Sequence, residues 1–156
     1  MSVVSHSPPH LTAQSFLAFD YGAKRIGVAT GNTLTGNAQP LHTVAAEGDA
    51  RFEAIARLIA EWRPDALVVG VPFHPDGAVH DNTLRARRFA RQLQGRFQLS
   101  VHEVDERYST TEAASLGARD LDAASAAILL EQFLAAMTLA VTTLATPNLA
   151  APKAPE

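Results

Sequence analysis

The stretch FLAFDYGAKRIGVAT, residues 16–30, decides the fold of this chain. Its first four residues are apolar, which is typical of a strand covered on both faces. Gly22 can adopt the positive φ that a tight turn requires. Ile26, Val28 and Thr30 then alternate as the residues of a second strand. The stretch therefore predicts a pair of antiparallel strands with one acid, Asp20, at the end of the first.

The composition indicates one globular domain in a reducing compartment. Of the 156 residues, 47% are hydrophobic, which is sufficient for a single core. Cysteine is absent, so disulfides and thiolate metal sites are excluded. We predict one domain over residues 15–145, between disordered tails at 1–14 and 146–156. Because neither a signal peptide nor a membrane span is expected, the protein is predicted to be cytoplasmic, without membrane contact.

The pattern after residue 30 predicts an α/β domain. We expect further strands at 39–44, 66–70 and 99–104, helices at 50–62, 81–94 and 122–137, and a short helix from the capping box at 109–112. Three antiparallel strands followed by two strands that are reached through helices give a five-stranded mixed sheet. Helices are expected on both of its faces.

Local signals define the first helix and the edge of the sheet. Asp49 is predicted to be the helix N-cap. The face predicted to be buried has apolar residues at helical spacing, namely Phe52, Ile55, Ile59 and Trp62. Pro40 places the third strand at an edge, because proline cannot donate a ladder hydrogen bond.

Three acids from distant segments are candidates for a metal site. Asp20 ends the first strand, Glu106 follows the fifth, and Asp122 opens the final helix. If both strands run in the same direction, their ends meet at one rim of the sheet. Carboxylates that converge there suit Mg²⁺ or Mn²⁺, and two such ions can promote phosphodiester hydrolysis. Each acid also has a simpler explanation: a turn residue, an ion pair with Arg107, or a helix cap.

Basic residues suggest contacts with phosphate, although the net charge of −3 is no sign of a general nucleic-acid binder. Lys24 and Arg25 follow Asp20 within the turn, and Arg107 follows Glu106. The second helix has a stripe of arginines outside its apolar face, formed by Arg85, Arg87, Arg88 and Arg91, with Arg96 beyond it. This stripe is either a contact for a nucleic-acid backbone or a solvated helix face.

Four motifs in this order resemble the YqgF family of Holliday-junction-resolvase-like proteins. They are FDYGAKRIGVA at 19–29, VGVPFHPDG at 69–77, DERYSTTEA at 105–113 and DAASA at 122–126. The resemblance covers roughly residues 16–137. It implies an RNase H-like fold and a bacterial, cytoplasmic, metal-dependent nuclease with Asp20, Glu106 and Asp122 as its acidic triad. The family is implicated in maturing the 5′ end of 16S ribosomal RNA, so the implied partner is structured RNA such as precursor ribosomal RNA or the ribosome.

The chain departs from the family pattern between the last two motifs. The segment 108–121 is shorter than usual, and a lysine common before the last motif is absent, with Arg119 as its nearest replacement. Two other functions remain open. One is a Holliday-junction resolvase acting on branched DNA, which requires a dimer with two symmetric sites. The other is a non-catalytic factor that binds RNA or the ribosome. The sequence leaves open whether the protein is a monomer or a homodimer.

Overall fold

A computed structural model describes residues 13–73, 76–79, 81–105 and 121–145 of the chain. The strands in these ranges are β1 (Ser15–Asp20), β2 (Ile26–Asn32), β3 (Ala38–Val44), β4 (Ala66–Val71) and β5 (Ser100–Asp105). The helices are α1 (Gly48–Trp62), α2 (Asp81–Phe97) and α3 (Leu121–Ala145). The predicted short helix at 109–112, the predicted tails at 1–12 and 146–156, and the segment 108–120 lie outside the described residues.

The strands form one mixed sheet in the order β3-β2-β1-β4-β5. β1 pairs with β2 and β2 with β3 in antiparallel fashion, whereas β4 lies parallel to both β1 and β5. The predicted topology is therefore confirmed, and β3 lies at an edge as Pro40 indicated. Gln14, placed by the sequence at the end of the N-terminal tail, accepts a hydrogen bond from the backbone N–H of Thr33 at 2.9 Å.

One face of the sheet carries the larger part of the core. Leu17, Phe19 and Val28 point to this face, where α1 and α2 cover them. The rings of Phe19 and Phe52 both contact the ring of Phe89, with centroids 6.1 and 6.0 Å apart. Bulky apolar side chains thus separate the sheet from these two helices, and burying them supplies most of the driving force on this side.

The opposite face is covered by α3. Phe16 and Ala18 of β1 pack here against Leu130 and Leu134. The residues of β2 on this face are small, namely Gly27, Ala29 and Gly31. A Cβ atom built on Gly27 would overlap the backbone carbonyl of Asp122. The first turns of α3 therefore lie directly on the backbone of β2.

Helix α3 packs in the core of the domain, although its composition would also suit a membrane span. Its segment Leu121–Ala140 is long and apolar enough to cross a membrane, but half of that segment is buried inside the protein. Residues 123–130 are buried without interruption, as expected for a helix predicted to be apolar on most faces. The helix continues to Ala145, eight residues beyond the predicted end.

Two details predicted for α1 were wrong. The helix begins at Gly48, and its N-cap is Glu47, so Asp49 lies in the first turn. Trp62, predicted to be buried, is 38% exposed. Phe52 and Ile55 are buried as predicted, together with Arg51 and Leu58. The apolar stripe is therefore rotated by about one residue toward Arg51, because tertiary packing selects the buried face.

Candidate active site

Asp20 lies at the rim of the sheet between two glycines. It is the last residue of β1, and its partners in register are Gly27 on β2 and Gly70 on β4. Alternation along β1 places Asp20 on the α3 face with Phe16 and Ala18. Neither neighbour has a side chain, and the space that a side chain at Gly27 would need is occupied by the backbone at the start of α3. Asp20 itself is partly buried.

Asp122 lies at the same rim, on the same face. It is in the first turn of α3, and its backbone carbonyl lies against Gly27, the cross-strand partner of Asp20. The Asp122 side chain is 32% exposed and accepts an ion pair from Arg25, with Nε and Oδ2 3.3 Å apart. The fold thus brings together two of the three predicted acids, which are 102 residues apart in the chain.

Glu106 and Arg107 lie outside the described residues, but β5 ends next to the site. Val104 is in register with Gly70, which in turn is in register with Asp20. Val104 packs on the α3 face, whereas Asp105 pairs with Val71, a residue of the α1/α2 core. Asp105 therefore belongs to the face away from Asp20.

The chemistry of these acids fits a hard divalent cation. Carboxylate oxygens are the ligands that Mg²⁺ and Mn²⁺ prefer. Within the described residues no group of three or more His, Asp or Glu side chains is arranged to hold a metal ion. Asp20 and Asp122 provide a pair of carboxylates at one rim, and Mg²⁺ is commonly bound through one or two carboxylates with water and phosphate oxygens.

The turn between β1 and β2 is held by Arg51, a residue that the sequence analysis missed. The Arg51 side chain donates from Nε to the carbonyl of Ala46 at 3.1 Å. From Nη2 it donates to the carbonyls of Gly22 and Ala23 at 3.3 and 2.9 Å. Arg51 is only 7% exposed. A charged residue four positions before Ile55, on a helix face that is otherwise apolar, was the available signal.

Two predicted phosphate contacts lie in this turn. Lys24 and Arg25 are both exposed, and Arg25 forms the ion pair with Asp122 described above. Gly22 does not have the positive φ that the sequence suggested. A glycine is required there because a Cβ atom would overlap the carbonyl of Arg25. The turn therefore presents two cationic side chains beside the acidic rim.

The predicted arginine stripe of α2 divides between different surroundings. Arg87 contacts Glu103 of β5, with Nε and Oε1 3.5 Å apart, and its guanidinium lies 5.4 Å from the ring centroid of Phe73. Arg85 and Arg88 instead line a cavity together with Arg51. Arg91 is exposed. Arg87 thus differs from the other members of the stripe because it pairs with β5, and a contact of the stripe with nucleic acid stays a prediction.

Comparison with known proteins gives the family. A family model described as "RuvX: Holliday junction resolvase" matches residues 14–136. The chain belongs to this family. The resemblance to YqgF proteins, drawn from the four motifs, is thereby confirmed.

Two relatives are very similar to the chain. One, from Albidiferax ferrireducens, is 68% identical over 130 residues, which cover 82% of this chain and 83% of the relative. The other, from a Polaromonas species, is 68% identical over 128 residues, covering 81% and 93%. Both carry the name "Putative pre-16S rRNA nuclease".

Among solved structures, the chain is similar to the Thermus thermophilus RuvC protein in complex with a Holliday junction substrate. The TM-score is 0.50 at 19% identity, over 80% of this chain and 96% of that one. At this identity the likeness shows the fold alone. Together with the mixed five-stranded sheet, it confirms the predicted RNase H-like fold.

Proposed function

We propose that this protein is a metal-dependent nuclease that hydrolyses phosphodiester bonds in precursor 16S ribosomal RNA. The observation that carries the proposal is the contact of Asp122 with Gly27, which brings the first turn of α3 beside Asp20. In this proposal, the carboxylates of Asp20 and Asp122 are two of the three acids of a metal site at the end of the central strands. The names of the two similar relatives support the substrate.

The third carboxylate in this proposal is Glu106. Alternation along β5 places Val104 on the α3 face, and a further two residues of strand would bring Glu106 to the same face. Asp20, Glu106 and Asp122 would then hold one or two Mg²⁺ or Mn²⁺ ions. When bound, a pair of such ions promotes deprotonation of the attacking water and stabilises charge on the leaving oxygen.

The basic residues have a separate role in the proposal. The scissile phosphate is held by Lys24, Arg25 and Arg107. The nucleic-acid backbone further along the substrate is contacted by Arg88 and Arg91. The ion pair between Arg25 and Asp122 offsets negative charge at the rim in the metal-free protein. We place the protein in the cytoplasm, as a monomer or a homodimer.

The test compares substrates and metals in one experiment. Labelled precursor 16S ribosomal RNA and a four-way DNA junction are incubated with Mg²⁺, Mn²⁺ or EDTA and with wild type or Asp20→Asn. We expect cleavage of the RNA that requires a divalent ion and is lost in Asp20→Asn, because an amide is a poor ligand for these ions.

Each other outcome contradicts a part of the proposal. Cleavage of the DNA junction alone would favour resolution of branched DNA, the activity in the family's description. Cleavage that persists in EDTA or in Asp20→Asn would exclude the metal mechanism. Tight RNA binding without cleavage in any metal would favour a non-catalytic factor that binds RNA.

A further inference from the structure

A cavity of about 320 Å³ lies between the start of α1 and the middle of α2, on the sheet face away from Asp20. Its walls combine arginines with aromatic rings: Arg51, Arg85, Arg88, Tyr21, Phe52 and Phe89. None of the described residues that line it is acidic. The volume is within the range of small-molecule sites in proteins.

Arg51 contributes donors that are buried and incompletely used. Its Nε and Nη2 atoms donate to the carbonyls of Ala46, Gly22 and Ala23. Its Nη1 atom makes no hydrogen bond to any described residue. A guanidinium has five N–H donors, and a buried donor without an acceptor destabilises the protein. An anion in the cavity would supply that acceptor.

Arg85 and Arg88 add two further cations that no described acid neutralises. Neither forms an ion pair within the described ranges, in contrast to Arg87, which pairs with Glu103. Asp49, which lies on the neighbouring turn of α1, is 93% exposed and pairs with Arg96 at 3.9 Å. Guanidinium groups match the geometry of phosphate oxygens better than ammonium groups do.

The cavity and the acidic rim share consecutive residues, because Tyr21 lines the cavity and Asp20 lies at the rim. Asp20 is on the α3 face, whereas the ring of Tyr21, the next residue, contacts Phe89 on the α1/α2 face with centroids 5.2 Å apart. The turn that carries Lys24 and Arg25 connects the two places, because Arg25 pairs with Asp122 at the rim and Arg51 of the cavity wall donates to the carbonyls of Gly22 and Ala23. A nucleic-acid strand that has one phosphate at Asp20 would then continue past the turn toward the cavity.

We propose that this cavity, walled by Arg51, Arg85 and Arg88, is a second phosphate subsite. It binds a phosphate that flanks the scissile bond on the same nucleic-acid strand. This inference rests on the proposed nuclease function and extends it. A free nucleotide carries the same phosphate chemistry, so the test has to separate a phosphate within a strand from one on a mononucleotide.

The test variant is Arg85→Gln/Arg88→Gln in the full chain. Both side chains are exposed, so the fold should persist, and Arg51 keeps the turn in place. The matched control is Arg57→Gln/Arg63→Gln, which removes the same charge from exposed positions on and just after α1 that do not line the cavity. Affinity for a labelled single-stranded RNA is measured by fluorescence anisotropy in EDTA, where no metal-dependent cleavage occurs.

We expect the cavity variant to bind the RNA at least about tenfold more weakly, and the control to stay within about twofold of wild type. The slope of log affinity against log salt should fall by about 0.7 for one lost phosphate contact, or about 1.4 for two. Adenosine 5′-monophosphate, added as the free nucleotide, should not displace the RNA. In cleavage assays the cavity variant should raise KM and leave kcat nearly unchanged.

Three results would overturn the subsite. The first two are the absence of RNA binding by wild type and equal RNA affinity in the two double variants. The third is tight binding of adenosine 5′-monophosphate to wild type that is lost in the cavity variant, while the affinity of that variant for RNA is unchanged. The subsite and the nuclease function fail separately. If no RNA is cleaved but the cavity variant still loses RNA affinity, the nuclease function fails, and the cavity is a phosphate site on bound RNA that flanks no scissile bond. If RNA is cleaved and the cavity variant behaves as wild type, the subsite fails and the nuclease stands.

Discussion

The two faces of the sheet are built on different principles. On the α1/α2 face, bulky residues such as Phe19 and Phe89 hold the helices away from the strands. On the α3 face, β2 presents glycine and alanine, so that the first turns of α3 lie directly against its backbone at Gly27. One face gains stability from large buried side chains, and the other gains a close approach of backbones.

The two faces also have different roles at the candidate active site. The close approach on the α3 face brings Asp122 beside Asp20, whereas the thicker α1/α2 face provides Arg51, which fixes the turn that follows Asp20. Both faces therefore act on the same rim from opposite sides. Substitutions that alter one face at a time test this division of roles.

Asp122→Asn should reduce RNA cleavage by at least about a hundredfold, because loss of a metal ligand removes several kcal/mol of transition-state stabilisation. The backbone contact with Gly27 is retained, so the fold should be intact by circular dichroism. Asp49→Asn is the control on the other face, where the carboxylate is exposed and away from the rim. A variant Asp122→Asn with wild-type kcat would remove Asp122 from the site.

Gly27→Ala should lower the free energy of unfolding by about 1–3 kcal/mol, because the new Cβ atom forces the start of α3 away from β2. It should also reduce cleavage, since Asp122 moves away from Asp20. Urea denaturation and single-turnover cleavage measure the two effects.

Gly95→Ala is the matched control for the substitution at Gly27. Gly95 lies in α2 with no heavy atom near the added Cβ position, so alanine should raise the free energy of unfolding by about 0.5–1 kcal/mol. If Gly27→Ala proved as harmless as Gly95→Ala, the close approach of α3 would not position the acid.

Arg51→Met should lower the free energy of unfolding by about 1.5–3 kcal/mol, because the carbonyls of Gly22 and Ala23 lose a charged donor. It should also raise KM, since the turn carries Lys24 and Arg25. Arg57→Met, exposed on the same helix, should stay within about 0.5 kcal/mol of wild type. Equal denaturation midpoints for the two variants would show that the turn does not depend on Arg51.

Local pattern was sufficient for the elements and their order. The apolar run before Asp20 and the alternation from Ile26 to Thr30 predicted the β1–β2 pair, and the crossovers predicted the parallel strands. These signals depend on neighbours within a few residues, because the side-chain period of a strand or helix is a local property. Asp20 and Asp122 were singled out for the same reason: each follows or opens an element.

The amino-acid sequence by itself thus determined the RNase H-like topology, the family, and the acids at the ends of elements. Only the tertiary structure decided that Trp62 is exposed, that Arg51 is buried on the turn, and that the arginines of α2 divide between Glu103 and a cavity. Local periodicity leaves each helix free to rotate by a residue about its axis. Which side chains are then buried depends on contacts between segments far apart in the chain, and these form only when the helices pack on the sheet.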